Sequence, residues 1–146
     1  MYIQKMPKIL IIDGQGGRIG SQLIEALRER IKDAEITAVG TNSIATANML
    51  KVSPDSAATG ENPVIVACRK ADVIAGPVGI VIADSLGGEV TPKMAKAVGQ
   101  SNAARVLIPV NRCDNMVAGV GDVPLTALIR DAAGLIQKTL DNKARM

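Results

Sequence analysis

Hydrophobic and polar positions change period several times along the chain, and each change marks a predicted element. Lys8-Ile9-Leu10-Ile11-Ile12 is a continuous, β-branched apolar run, the pattern of a strand covered on both faces. A glycine-rich turn follows. Ile19, Leu23, Leu27 and Ile31 then recur every fourth residue, with Glu25, Arg28, Glu29, Arg30 and Lys32 between them, which predicts an amphipathic helix with one face on a sheet. Glu35-Ile36-Thr37-Ala38-Val39 reads as a second strand, and Gly40-Thr41-Asn42-Ser43 turns the chain into a helix from Ile44 to about Lys51, stopped ahead of Pro54.

The small, polar residues 55–61 read as loop. Asn62 and Pro63 open a third helix to about Lys70, although Val64-Ile65-Val66 fits a strand equally. Residues 72–75 form the next strand, closed by Gly76-Pro77-Val78-Gly79, and Ile80-Val81-Ile82-Ala83 suits a helical turn or a strand. Thr91 and Pro92 are an N-cap and first-turn pair for a helix ending near Gly99 or Ser101. A fourth strand covers 106–110, with Pro109 marking a bulge or strand end, and a short fifth covers 115–120. Leu125, Leu128, Ile129, Ala132, Ile136 and Leu140 mark a final helix capped by Asp122.

Strand and helix alternate about every 30 residues, the size of a βαβ unit. The expected fold class is therefore α/β: a three-layer, doubly wound, mostly parallel sheet of about five strands, Rossmann-like or flavodoxin-like in strand order. The 146 residues suit one domain spanning 1–146, large enough to bury a core without disulfides or metals.

Composition narrows the chemistry. The chain has no histidine, which removes Ser-His-Asp and Cys-His catalysis and most zinc sites. It has no tryptophan or phenylalanine and a single tyrosine, Tyr2, so the aromatic platforms that hold single-stranded nucleic acid are missing. The net charge of +3 is spread evenly over both halves, which reads as solubility and excludes a nucleic-acid footprint. Cys68 and Cys113 form no CxxC pair, and the N-terminus lacks the apolar core of a signal peptide. The longest apolar stretch, 73–83, is too short to span a bilayer and contains Gly76, Pro77 and Gly79. A cytoplasmic protein with free thiols and no membrane contact is expected. The same stretch, if partly exposed, suggests a homo-oligomer contact.

The sharpest motif is Asp13-Gly14-Gln15-Gly16-Gly17-Arg18-Ile19-Gly20, between the first strand and the first helix. Its register is GxxGxxG on Gly14, Gly17 and Gly20. Glycines there permit a tight turn, close approach of a ligand oxygen and close helix–strand packing, while the helix N-terminus offers amides and a positive dipole end to a phosphate. The competing explanation is a turn whose glycines serve geometry alone. Gly17→Asp is expected to abolish ligand binding by placing a carboxylate where the phosphate sits. The end of the second strand holds Thr41, Asn42 and Ser43 where a dinucleotide site usually has a ribose-binding carboxylate, and Arg18 stands within the loop. Both facts lean toward NADP over NAD, or toward a smaller phosphorylated ligand. Asp13 repels a bare pyrophosphate unless it is capped or bridged by a cation, which also makes it a magnesium candidate.

Ligands in such sheets bind beyond the carboxyl ends of the strands. The segments expected there are Thr41-Asn42-Ser43, then Gly76, Pro77 and Gly79, and then Asn111 with Arg112, whose guanidinium can hold an anion or pair with an aspartate. Asp84 and Glu89 are candidate acid/base carboxylates, with helix capping as the alternative. Cys113 beside Arg112 is a nucleophile or a structural thiol.

The strings IDGQGGRIG, GTNSIATANML, ATGEN, ADVIAGPVGIVIADSLGGEVTP and LIPVNRC resemble an uncharacterised family of small bacterial proteins, a domain of unknown function, over most of the chain. That resemblance implies a Rossmann-like fold and no activity. More distantly, Gly14, Gly17 and Gly20 are similar to the cofactor loop of extended short-chain reductases, whose catalytic Tyr-x-x-x-Lys is absent here, since residue 6 is Met6. The leading expectation is a small NAD(P)-type dinucleotide-binding protein, an oxidoreductase component whose catalytic group is missing from this chain. The alternatives are a non-catalytic module sensing a nucleotide or phosphorylated metabolite, and a magnesium-assisted enzyme acting on a phosphorylated small molecule. The expected partner is a small anionic or nucleotide ligand.

Overall fold

A computed structural model of the protein describes residues 5–110 and 115–145. Five parallel strands form its sheet: β1 (Lys8–Asp13), β2 (Glu35–Gly40), β3 (Ser56–Thr59), β4 (Val73–Pro77) and β5 (Ala104–Ile108). They lie in the order β3-β2-β1-β4-β5. This is the Rossmann order, with the topological switch point between β1 and β4. The helices are α1 (Arg18–Arg30), α2 (Ser43–Leu50), α3 (Glu61–Cys68), α4 (Pro92–Gln100) and α5 (Leu125–Ala144), with a 3₁₀ turn at Val78–Val81.

The continuous apolar runs read from the sequence are the central strands. Ile9, Leu10, Ile11 and Ile12 alternate between two cores and are at most 2% exposed. Ile9 and Ile11 meet Leu23, Ile24 and Leu27 of α1 and Ile129, Ala133 and Ile136 of α5. Leu10 and Ile12 meet Val64 and Cys68 of α3 and Met94, Ala95 and Val98 of α4. Each fully buried Leu or Ile contributes about 2 kcal/mol, so the two cores together set the three layers. Thr91 caps α4, its hydroxyl accepting from the Met94 amide at 3.1 Å.

Several sequence expectations are corrected. Residues 56–59 are an edge strand: Thr37 pairs with Ser56 and Gly40 with Thr59 in parallel register. The small polar side chains of Ser56-Ala57-Ala58-Thr59 hid it, because an edge strand packed on one side needs little apolar alternation. Asp55 anchors its start by accepting from the Ile36 amide at 2.7 Å and from Arg28 Nη2 at 2.9 Å. Residues 115–120 contain no strand. Asp122 does not cap α5, which begins after Pro124 with the Pro124 carbonyl accepting from the amides of Ala127 and Leu128.

Val64-Ile65-Val66 is helical, and β4 continues through Gly76 and Pro77. Residues 73–77 are all buried, as are Gly79 and Ile80, while Val78, Val81 and Ile82 are half-buried and Ala83 is exposed. Among the described residues, no helix is long and apolar enough to cross a membrane.

Candidate functional site

At the carboxyl end of β1 the chain must leave the sheet and enter α1 within four residues. Gln15 and Gly17 adopt left-handed φ values of 50° and 71°. The Gly17 amide returns to the Gly14 carbonyl at 2.9 Å, closing the turn. Gly17 is also where the turn touches α2, which leaves no volume for a side chain.

Two asparagines fasten this turn to the neighbouring helix. Asn42 Nδ2 donates to the Gln15 carbonyl at 2.9 Å, and Asn48 Nδ2 donates to the Gly16 carbonyl at 2.7 Å. Asn42 also caps α2 by accepting from the Ala45 amide at 2.8 Å. Asn48 carries no sequence signal, because a mid-helix asparagine reads as ordinary surface.

Asp13 supplies the floor. It is 3% exposed, and its two carboxylate oxygens accept from the Gly14 amide at 2.8 Å and the Gly20 amide at 2.7 Å. The carboxylate is thus turned inward and capped by backbone amides. Burial pushes its carboxyl above the ordinary value of 3.8, the Gly20, Gly14 and Ile19 amide bonds oppose that, and the Glu89 charge adds a smaller upward push. With both oxygens engaged, Asp13 is poorly placed to coordinate magnesium. No group of three or more His, Cys, Asp or Glu able to hold a metal occurs among the described residues.

The raised carboxyl has a stability consequence. The folded state holds the Asp13 proton more tightly than the unfolded chain, so the burial penalty is complete above the folded value and relieved as pH falls toward 3.8. Relative to Asp13→Asn, the wild type should therefore gain unfolding free energy on acidification through that window. Parallel urea denaturation of the two proteins across pH checks this, and a constant difference would contradict it.

Glu89 holds the other side of the turn. Its Oε1 accepts from the Gln15 amide at 2.9 Å, the Thr41 hydroxyl at 2.7 Å and Asn42 Nδ2 at 2.7 Å. Partial burial raises its pKa, but these three donors outweigh that and leave it below the ordinary glutamate range. Glu89 therefore caps no helix. It reaches the end of β2 from a loop in which Asp84, Leu86, Gly87 and Gly88 all have left-handed φ, between 56° and 92°. The Asp84 amide closes that loop on the Val90 carbonyl at 2.7 Å, and Ser85 Oγ donates to the Gly79 carbonyl. Leu86, buried to 1%, packs beneath Gly14.

The remaining candidates are dispersed. Gly76 and Pro77 are interior strand residues and Gly79 is buried in the 3₁₀ turn, so none projects as a loop. Asp84 is exposed and enters only through its backbone, and Ser43 is the exposed first residue of α2. Asn111, Arg112 and Cys113 lie outside the described residues. Burial pushes the Cys68 thiol up to about 11, which makes it an inert core residue.

What the assembly leaves open is a pocket of about 350 Å³ lined by Asp13, residues 14–19, Val110 and Leu125. Among the described residues, the amides of Gly16 and Arg18, both on its wall, donate no hydrogen bond. The Arg18 side chain is exposed at the same rim. An open helix N-terminus with two amides and a guanidinium is suited to a compact anion.

The chain belongs to the family described as Domain of unknown function (DUF3842), which matches residues 8–141. No curated protein matches the chain.

Proposed function

We propose that this protein binds a nucleotide of the NAD(P) type, a phosphate seated on the turn of residues 14–20, and serves as the cofactor-binding component of an oxidoreductase. One observation carries the reading. The 350 Å³ pocket opens on the Gly16 and Arg18 amides at the N-terminus of α1, beside the switch point between β1 and β4, where sheets of this order bind ligands. Gly14 and Gly20 perform the packing duties that the turn requires, and both oxygens of Asp13 are held by the Gly14 and Gly20 amides.

A second reading is a module that senses a nucleotide or phosphorylated metabolite without chemistry. It draws support from Glu89, which links the glycine turn, the end of β2 and the 84–90 loop, so a ligand arriving there acts on all three.

Calorimetric titration with NADH, NADPH, AMP and inorganic pyrophosphate tests the site. Micromolar binding of a pyridine nucleotide supports the first reading; binding of AMP or pyrophosphate alone supports the second. Gly16→Asp is the discriminating variant, because a Cβ at residue 16 meets no atom within 4 Å and the fold should survive. A carboxylate there should weaken anion binding at least about tenfold through like-charge repulsion. Unchanged affinity in a folded Gly16→Asp protein would remove the site from this turn.

A further inference from the structure

We infer that Glu89 is the ribose-binding carboxylate of this site, delivered to the end of β2 from the loop after β4, and that it selects a nucleotide with an unmodified 2′-hydroxyl over one carrying a 2′-phosphate. The inference rests on the nucleotide reading above and deepens it.

The position comes first. In sheets of this order the nucleoside lies past the end of β2, where an acidic residue accepts from the ribose hydroxyls. That stretch of this chain, Gly40-Thr41-Asn42-Ser43, contains no acid. Glu89 supplies one in space: its Oε1 is bonded to Thr41 and Asn42, directly beyond the strand, and to the Gln15 amide of the glycine turn.

The division of labour between its two oxygens comes next. Oε1 takes all three donors, while Oε2 accepts no hydrogen bond among the described residues. A carboxylate whose one oxygen is clamped and whose other is open keeps a positioned acceptor for a further donor. A vicinal diol provides such donors, whereas a 2′-phosphate brings negative charge against an ionised carboxylate.

The loop is built for this delivery. Two non-glycine residues, Asp84 and Leu86, are held in left-handed backbone within the same five-residue stretch as Gly87 and Gly88. Such conformations are retained where the surrounding structure fixes them, and here the fixed outcome is Leu86 under Gly14 and Glu89 on Gln15. Ile44, in the first turn of α2 just past Asn42, is 66% exposed and adds apolar surface suited to a base. The absence of an acid after β2, together with Arg18, favoured NADP on sequence grounds; the placement of Glu89 turns the preference to NAD.

Glu89→Gln is the informative variant, since its Oε1 can keep the three donors while the open oxygen becomes an uncharged donor. Wild type, Glu89→Gln and Glu89→Ala are titrated with NAD, NADP, ADP, 2′-deoxy-ADP and inorganic pyrophosphate, with melting curves to confirm folding. The wild type should prefer NAD over NADP and ADP over 2′-deoxy-ADP by about tenfold or more, the scale of a lost charge-assisted hydrogen bond. Both variants should lose those preferences, and Glu89→Gln, which keeps an oxygen for the three donors, should still bind pyrophosphate. A wild type that favours NADP, or a Glu89→Gln protein with the wild-type preference for NAD, overturns the role of Glu89 while nucleotide binding stands. Pyrophosphate binding with no nucleotide bound overturns the nucleotide reading and this one with it, and the loss of every ligand overturns the anion site itself.

Discussion

Gly76→Ala should be the most damaging single methyl group that can be added to this protein. Gly76 lies in β4 beside β1, and a Cβ there points onto the Ile12 carbonyl oxygen, with Ile80 Cδ1 at 3.2 Å on its other side. The obstructing atom is backbone of the central strand, which is paired on both edges with β2 and β4. It cannot rotate away, so relief requires separating the two strands at the switch point. Overpacking of a well-filled core costs about 1–3 kcal/mol where side chains can shift, and more where backbone must move. A loss of about 4 kcal/mol is expected, a large part of the stability of a domain this size. Urea denaturation of the purified variant checks it. A loss under about 1 kcal/mol would show that the strands are farther apart than described.

Gly17→Ala follows in size and differs in kind. Gly17 has φ of 71°, so an L side chain incurs left-handed strain of about 1–2 kcal/mol before any contact is counted. Its Cβ would then stand 2.6 Å from the Ala45 carbonyl oxygen and 2.9 Å from Ala45 Cα, both in the first turn of α2. Moving α2 away strains the Asn42 and Asn48 bonds that hold the glycine turn. A combined cost of about 3 kcal/mol is expected, or a fall in Tm of roughly 10 °C for a chain this long. Ligand affinity should fall with it, since the turn opens. Gly17→Asp therefore challenges folding before it challenges binding, and the clean probe of the anion is Gly16→Asp. A Gly17→Ala protein with an unchanged melting curve would contradict both the backbone angle and the contact.

What could be read from residues alone was whatever rested on periodicity or on local capping. The fourfold spacing of Ile19, Leu23 and Leu27 placed α1, and all three are buried. Thr91 and Pro92 placed the start of α4 because an N-cap acts through residues only three apart. The strand β3 escaped because its partner, β2, supplies what makes it a strand: a ladder from Thr37 to Gly40, a Thr37–Ser56 hydroxyl bond of 3.0 Å and a Thr46–Thr59 bond of 2.7 Å. None of these leaves a trace in residues 56–59 themselves. Conversely, Val117 and Val120 mimic a strand for which no neighbour is provided.

The glycine turn was legible as a motif, while its surroundings were not. Gly76 reads as a loop residue, but its lack of a side chain serves strand-to-strand contact. Glu89 reads as a helix cap or a proton-transfer group and instead bonds residues 74, 48 and 47 positions away. Contacts of that separation are set by the winding of the sheet, so only the folded chain reveals that the acid missing after β2 arrives from after β4.

The shortness of β3 has a consequence for solubility. A sheet border exposes unpaired amide and carbonyl groups to which a strand of another molecule can add, and long, flat, greasy borders seed aggregates. Here that border is four residues long and bears only Ser56, Ala57, Ala58 and Thr59, followed at once by the turn into α3. An intruding strand would find few bonds to make and no oily surface to cover, so this margin of the molecule is a poor template for polymer growth.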